Sequence, residues 1–403
     1  MSYLPTALTI QLFLTFFAPP IAVGPRLLFV SDFWCLLWTG ALLFVEHRRL
    51  KGIYPFLAAT AALVAVSYVH GAYRPFLRDT LKYKDYFFLF EDDTFQGGRE
   101  LIVAVRFLSW LWAGRVVAAA FAREKDARPA LRSLGLALAA CLVLSGALLA
   151  LAKGSHGVEA LLGRIYGYDP NYEYWRGRAY GAFRSPLEAG VSMGLGGLAL
   201  LGFREISLRA RLAGAALAGV GLACTKTLTT VVAAVIAIVL TLSRKYRRRL
   251  LKRDRTAMLT AAVGLVAIAV AVWLGRERLA TKLLDVKFRW GPWVVYWEAA
   301  AKRPDLLLFG FGMAPYHTDN FFVWVFTRTG LVGLGAFLVW GWRTLVRGWD
   351  SWDRAAKASV VFLLVGTAML DVLIYRNVVA LLLAALIPLM ARRSQDSPRR
   401  AGR

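Results

Sequence analysis

Two guanidinium groups, Arg178 and Arg184, stand in one short segment that runs straight into Ser185-Pro186 and a long apolar stretch. Arginine suits a phosphate because its planar fork gives two parallel charge-assisted hydrogen bonds. A helix opened by Pro186 adds its positive dipole end to those two groups. A second segment, Lys287-Phe-Arg289-Trp-Gly-Pro-Trp293, sets another guanidinium among aromatics, and Lys226 lies between two further apolar runs. Arg178, Arg184, Arg289 and Lys226 are therefore the candidates for a diphosphate clamp.

A different chemistry is available at Phe309-Gly-Phe-Gly-Met-Ala-Pro-Tyr316-His317-Thr-Asp319-Asn320, just ahead of the run that starts at Phe321. Gly310, Gly312 and Pro315 shape an irregular turn there, and His317 or Asp319 has the chemistry to take a proton from an acceptor hydroxyl. An ordinary helix cap at Asp319 or Asn320 is the competing reading. The dipole of a helix beginning near Phe321 favours an ionised Asp319, which makes it a good anchor and a poor proton acceptor. A neutral imidazole titrates nearer the range that general-base work requires. His317 is thus the expected base, with Asp319 and Asn320 fixing the loop and Tyr316 facing the substrate.

These residues need a scaffold, and the composition says which kind. Apolar residues make up 58% of the 403, and the mean hydropathy is +0.52, far above an ordinary soluble domain. About twelve runs are of a length that approaches or spans roughly 30 Å of hydrocarbon: 7–23, 31–45, 53–70, 101–121, 133–152, 186–203, 208–224, 227–242, 256–274, 321–342, 358–375 and 377–390. The fold expected is all-α and polytopic, a single transmembrane domain over 1–391 with a basic tail over 392–403 that lies near anionic lipid.

The net charge of +25 would point to nucleic acid in a soluble protein, but here Lys and Arg crowd the short connectors 46–51, 122–132, 204–211, 243–255 and 343–357 and the tail. Those faces are expected in the cytoplasm, with both termini inside and no nucleic-acid partner. Three longer segments, 71–98, 153–185 and 275–320, fall on the opposite side, and the last two carry the candidate residues other than Lys226. Segments of that length in a compact bundle are usually functional. Trp290, Trp293, Tyr296 and Trp297 recur at near-helical spacing, as in a helix lying along the interface. Cys35, Cys141 and Cys224 sit in apolar runs with no Cys/His cluster, Glu91-Asp92-Asp93 reads as a solvated turn, and no cofactor fingerprint occurs; neither a metal nor a cofactor is expected. Arg106, Arg115 and Arg328 are intramembrane charges that form no continuous path, which argues against a transporter or flippase of a lipid-linked anion.

The stretch Arg289-x-x-x-Trp293, then Pro304, the Leu-Phe-Gly-Phe-Gly of 308–312, Asp319-Asn320 and Gly330-Leu-Val-Gly333 resembles the C-terminal signature of the bacterial O-antigen polymerases and ligases. The segment from Arg178 to Pro186 is similar to that family's earlier arginine region, and Thr225-Lys226 stands where many members have Ser-Arg. The resemblance implies a GT-C-like glycosyltransferase of the inner membrane. Its donor would be an undecaprenyl-diphosphate-linked glycan and its acceptor a second glycan, with membrane lipids and a chain-length regulator as partners. Ligases of the family carry His directly before Asn; here that position is Asp319, which favours polymerisation over transfer to lipid A core.

Overall fold

The structure is a computed structural model, and it describes residues 3–23, 26–70, 97–124, 126–169, 177–241, 294, 296–298, 300–312, 321–349, 352–369 and 376–391. Helices dominate them: α1 (Tyr3–Phe17), α2 (Val30–Val45), α3 (Tyr54–His70), α4 (Gly97–Arg123), α5 (Arg128–Gly154), α6 (His156–Tyr166) and α7 (Pro186–Leu200). They continue as α8 (Leu208–Thr225), α9 (Leu228–Thr241), α10 (Pro304–Phe309), α11 (Phe321–Gly348), α12 (Arg354–Met369) and α13 (Arg376–Ala391). A small antiparallel hairpin, β1 (Ile21–Val23) and β2 (Arg26–Leu28), joins α1 to α2.

Every expected apolar run except 256–274, which lies outside the described residues, overlaps one of these helices. Five helical stretches among the described residues are long and apolar enough to cross a membrane: Lys51–Val69, Leu101–Arg123, Arg128–Gly154, Leu208–Thr225 and Phe321–Arg343. Others, such as Tyr3–Phe17 and Val30–Val45, are apolar but shorter. The run 7–23 is cut at Phe17 because Pro19 and Pro20 have no N–H to continue a helical ladder. Segment 153–185, expected as a long loop, holds α6 instead. Its Ser155 hydroxyl caps the start by accepting from Val158 N, and Gly167, at φ 69°, ends it in the left-handed conformation that suits glycine.

Helix α7 occupies the centre, buried along nearly its whole length, and packs against α5, α8, α9, α12 and α13. Small residues permit those approaches, as they do wherever helices must associate without a hydrophobic drive from lipid. A methyl group at Gly194 would meet the Phe362 ring at 2.8 Å, and one at Gly196 would meet Leu142 at 2.7 Å. Between α1 and α2 the contacts are polar: Gln11 donates to Ser31 O (3.1 Å), and the Trp34 indole donates to Ala7 O (2.9 Å).

A second, smaller core gathers Tyr296, Ala300, Leu306, Phe311, Val323 and Phe326. The expected interfacial helix is helical at the described positions 294, 296–298 and 300–301, but Tyr296 turns inward, fully buried against Phe311, while Trp297 stays about half exposed. Here the two glycine motifs meet. Helix α11 kinks at Gly330 (φ 61°, ψ −161°), a conformation open essentially to glycine alone. The carbonyl of Thr327 before the kink accepts from Phe311 N (2.6 Å), and that of Arg328 accepts from the Ser67 hydroxyl of α3. Gly310, at φ 84°, lies against the same backbone, where a Cβ would come within 2.6 Å of Arg328 C. Gly330→Ala should therefore cost about 1–3 kcal/mol from its backbone angle alone and lower the melting temperature of the purified protein. Gly335→Ala, where an added methyl meets nothing within 4 Å, should not lower it, since alanine favours a helix interior over glycine.

Candidate anion-binding site

The segment 177–185 is held from several sides. Ala179 N donates to Cys224 O (3.1 Å), which ties it to the turn after α8 where Lys226 adopts a left-handed backbone (φ 51°). The Tyr168 hydroxyl donates to Gly181 O (3.1 Å), and the Tyr168 ring stacks on Tyr180 with centroids 4.4 Å apart. Phe183 sets its edge on Phe16 of α1 (5.7 Å), and Lys153 Nζ donates to Gly177 O (2.9 Å). Arg178 and Lys226 are thus carried on neighbouring stretches of backbone joined by a hydrogen bond.

The segment ends in a helix cap related to a capping box, with the return bond made to the residue before the cap. Ser185 Oγ accepts from Glu188 N (3.1 Å), Pro186 occupies the first turn, and Glu188 Oε2 accepts in return from Arg184 N (3.4 Å). The Ser-Pro-Leu-Glu sequence thereby fixes where Arg184 leaves the helix. Its exposed side chain passes over the Phe29 ring, with its guanidinium carbon 5.8 Å from the centroid.

Phe29 stands at the start of α2 and also receives Arg376, the first residue of α13, whose guanidinium carbon lies 3.1 Å from its centroid. Arg376 Nε reaches Asp32 Oδ2 at 3.1 Å, and Arg106 Nε of α4 reaches the same oxygen at 2.9 Å. One end of the bundle therefore gathers Arg106, Arg184 and Arg376 from different parts of the chain, with Asp32 and Glu188 beside them. Among the described residues, three cations against two carboxyls leave an excess of positive charge. Low-dielectric walls strengthen its attraction for an anion.

Of the residues expected from sequence, Arg184 joins this cluster, while Arg178 and Lys226 occupy the adjoining backbone. Arg289, Tyr316, His317, Asp319 and Asn320, like Glu91-Asp92-Asp93, lie outside the described residues. Asp32, Glu188 and Arg376 were not singled out by sequence, and Arg106 was read only as an isolated intramembrane charge. Arg328 is fully enclosed in α11: its guanidinium lies 4.1 Å from the Trp324 centroid, and Nη1 donates to Trp324 O (3.3 Å).

Beside the segment, α6 turns Glu159, Leu162, Gly163 and Tyr166 to one face. Leu162 and Tyr166 are buried, and the Tyr166 hydroxyl donates to Phe17 O (2.9 Å). Burial pushes the Glu159 carboxyl up from its ordinary value, against the opposing pull of Lys153 and His156. The same burial pushes the Tyr168 phenol up, with the Glu159 charge adding to it.

Comparison with protein-family models and with curated proteins gave no match.

Asp32→Asn should remove the shared counter-charge of two partly buried guanidinium groups and destabilise the purified protein by about 1–3 kcal/mol, less than the loss of one partner from a fully buried pair costs. A denaturation midpoint unchanged from wild type would show the pairs to be dispensable. For Glu159, a raised folded pKa means that the group contributes its stability below the ordinary carboxylate value of 4.5 and loses it as the pH rises through the folded value. Glu159→Gln should accordingly melt above wild type at neutral pH, with the gap closing on acidification below 4.5.

Proposed function

We propose that the chain is a membrane glycosyltransferase that polymerises undecaprenyl-diphosphate-linked oligosaccharide repeat units on the extracytoplasmic face of the bacterial inner membrane. The observation that carries this reading is the convergence of Arg106, Arg184 and Arg376 at one end of the bundle. With about twelve spans and both termini in the cytoplasm, the basic connectors fall inside and that end falls outside. The family resemblance of the arginine and glycine motifs supports the same assignment.

A sugar attached through diphosphate to a polyprenol already has a good leaving group. The enzyme must hold the donor, neutralise the charge that develops on the departing phosphate and orient an acceptor hydroxyl. Arg184 is the exposed arm of the cluster, while Asp32 restrains Arg106 and Arg376 so that their forks are preorganised. Each preorganised donor of this kind typically supplies about 3 kcal/mol of transition-state stabilisation. Arg178, Arg289 and Lys226 extend the diphosphate grip. His317 removes the acceptor proton, with Tyr316, Asp319 and Asn320 holding the acceptor and the loop at the entrance of α11.

Purified protein in lipid nanodiscs, given undecaprenyl-diphosphate repeat units, should lengthen them. Arg184→Lys and Arg376→Lys should each lower the rate by at least tenfold although the charge is kept, because an ammonium cannot reproduce the bidentate fork; Arg289→Lys should do the same. Lipid translocation without sugar transfer would overturn the enzyme reading in favour of a transporter. Transfer only to lipid A core would make the protein a ligase.

A further inference from the structure

One carboxylate oxygen of Glu159 is shut off from solvent and has no hydrogen-bond partner. An acceptor left in that state has lost its hydration without compensation, and a donor brought to it relieves that cost. The neighbouring groups narrow what the donor is. Tyr168 has committed its hydroxyl to Gly181 O and one ring face to Tyr180, yet remains partly exposed. What it offers is apolar aromatic surface beside a carboxyl. A free cation is disfavoured by Lys153 and His156, which act on Glu159 from the preceding residues. An anion is disfavoured by Glu159 itself. A neutral ligand rich in hydroxyl donors, with an apolar C–H face to lie on an aromatic ring, satisfies all three conditions; a sugar has both.

The far side of α6 sets the depth of this site. Leu161 and Ile165 stand exposed on the face opposite Leu162 and Tyr166, as in a helix that lies with one flank against lipid. Glu159 and Tyr168 are thereby held at the bundle surface, and the segment that stacks Tyr180 on Tyr168 continues directly to Arg184.

We propose that Glu159 and Tyr168 form a glycan subsite, which takes neutral sugar residues of the lipid-linked substrate whose diphosphate lies at the arginine cluster. The assignment rests on the glycan-transfer reading for the identity of that substrate, whereas the binding of sugar is independent of it. The test uses the full chain in nanodiscs and an array of bacterial oligosaccharides that carry neither lipid nor phosphate. Wild type should bind members of the array. Glu159→Gln and Tyr168→Ala should each weaken that binding at least tenfold, while Leu161→Gln, on the opposite face, should bind as wild type does. Wild type that binds no oligosaccharide, or Glu159→Gln and Tyr168→Ala proteins that bind as tightly as wild type, would overturn the subsite. Sugar binding that depends on Glu159 in a protein that transfers no glycan would uphold the subsite and remove the transferase reading alone.

Discussion

A single carboxylate oxygen organises the charged end of this bundle. Asp32 Oδ2 accepts from Arg376 Nε and forms an ion pair with Arg106 Nε at 2.9 Å, so one anion joins α2, α4 and α13. Without it two guanidinium groups would face each other in surroundings that screen them poorly. With it they are fixed in position, and Phe29 supplies the ring over which Arg376 and Arg184 both pass. The helix cap at Ser185 and Glu188 then decides where Arg184 enters. The geometry of the candidate site thus follows from one ion pair and one helix cap.

The second organising feature is backbone proximity. Gly310 and Gly330 let the chain before α11 lie directly on the kink in that helix, and carbonyls ahead of the kink are taken up by Phe311 N and the Ser67 hydroxyl. Irregular backbone at such depth is tolerated only when its polar groups find partners within the protein. The described backbone at 310–312 is thereby anchored on α11, while His317 and Asp319 lie outside the described part of the chain.

Local pattern made the helices legible, because a run of apolar residues and a Pro or Gly at its end act over a few positions. Arg184 was legible for the same reason: Ser-Pro after it announces a helix start. Asp32 and Arg376 were not, since a pair separated by 344 residues leaves no trace in spacing. The available signals were a lone carboxylate at the edge of an apolar run and an arginine wedged between two others, both of which are costly unless compensated. Helix α6 was also readable in principle, from Ser155 at one end and Gly167 at the other, but a mixed polar composition masked it. Tyr296 shows the reverse error: spacing fixed the helix, while packing against Phe311 decided which way the ring faced.

The Asp32 pairing also sets a timetable for biosynthesis. Its second partner leaves the ribosome 344 residues after Asp32, roughly 20–70 s later at about 5–20 residues per second. Until then the nascent chain holds Asp32 with Arg106 alone, and α13 is missing from its place against α1, α4 and α7. Translation that stops before Arg376 therefore yields a product in which α1, α4 and α7 lack the packing of α13. An anion grip built on all three arginines therefore exists only once α13 has been synthesised and has docked.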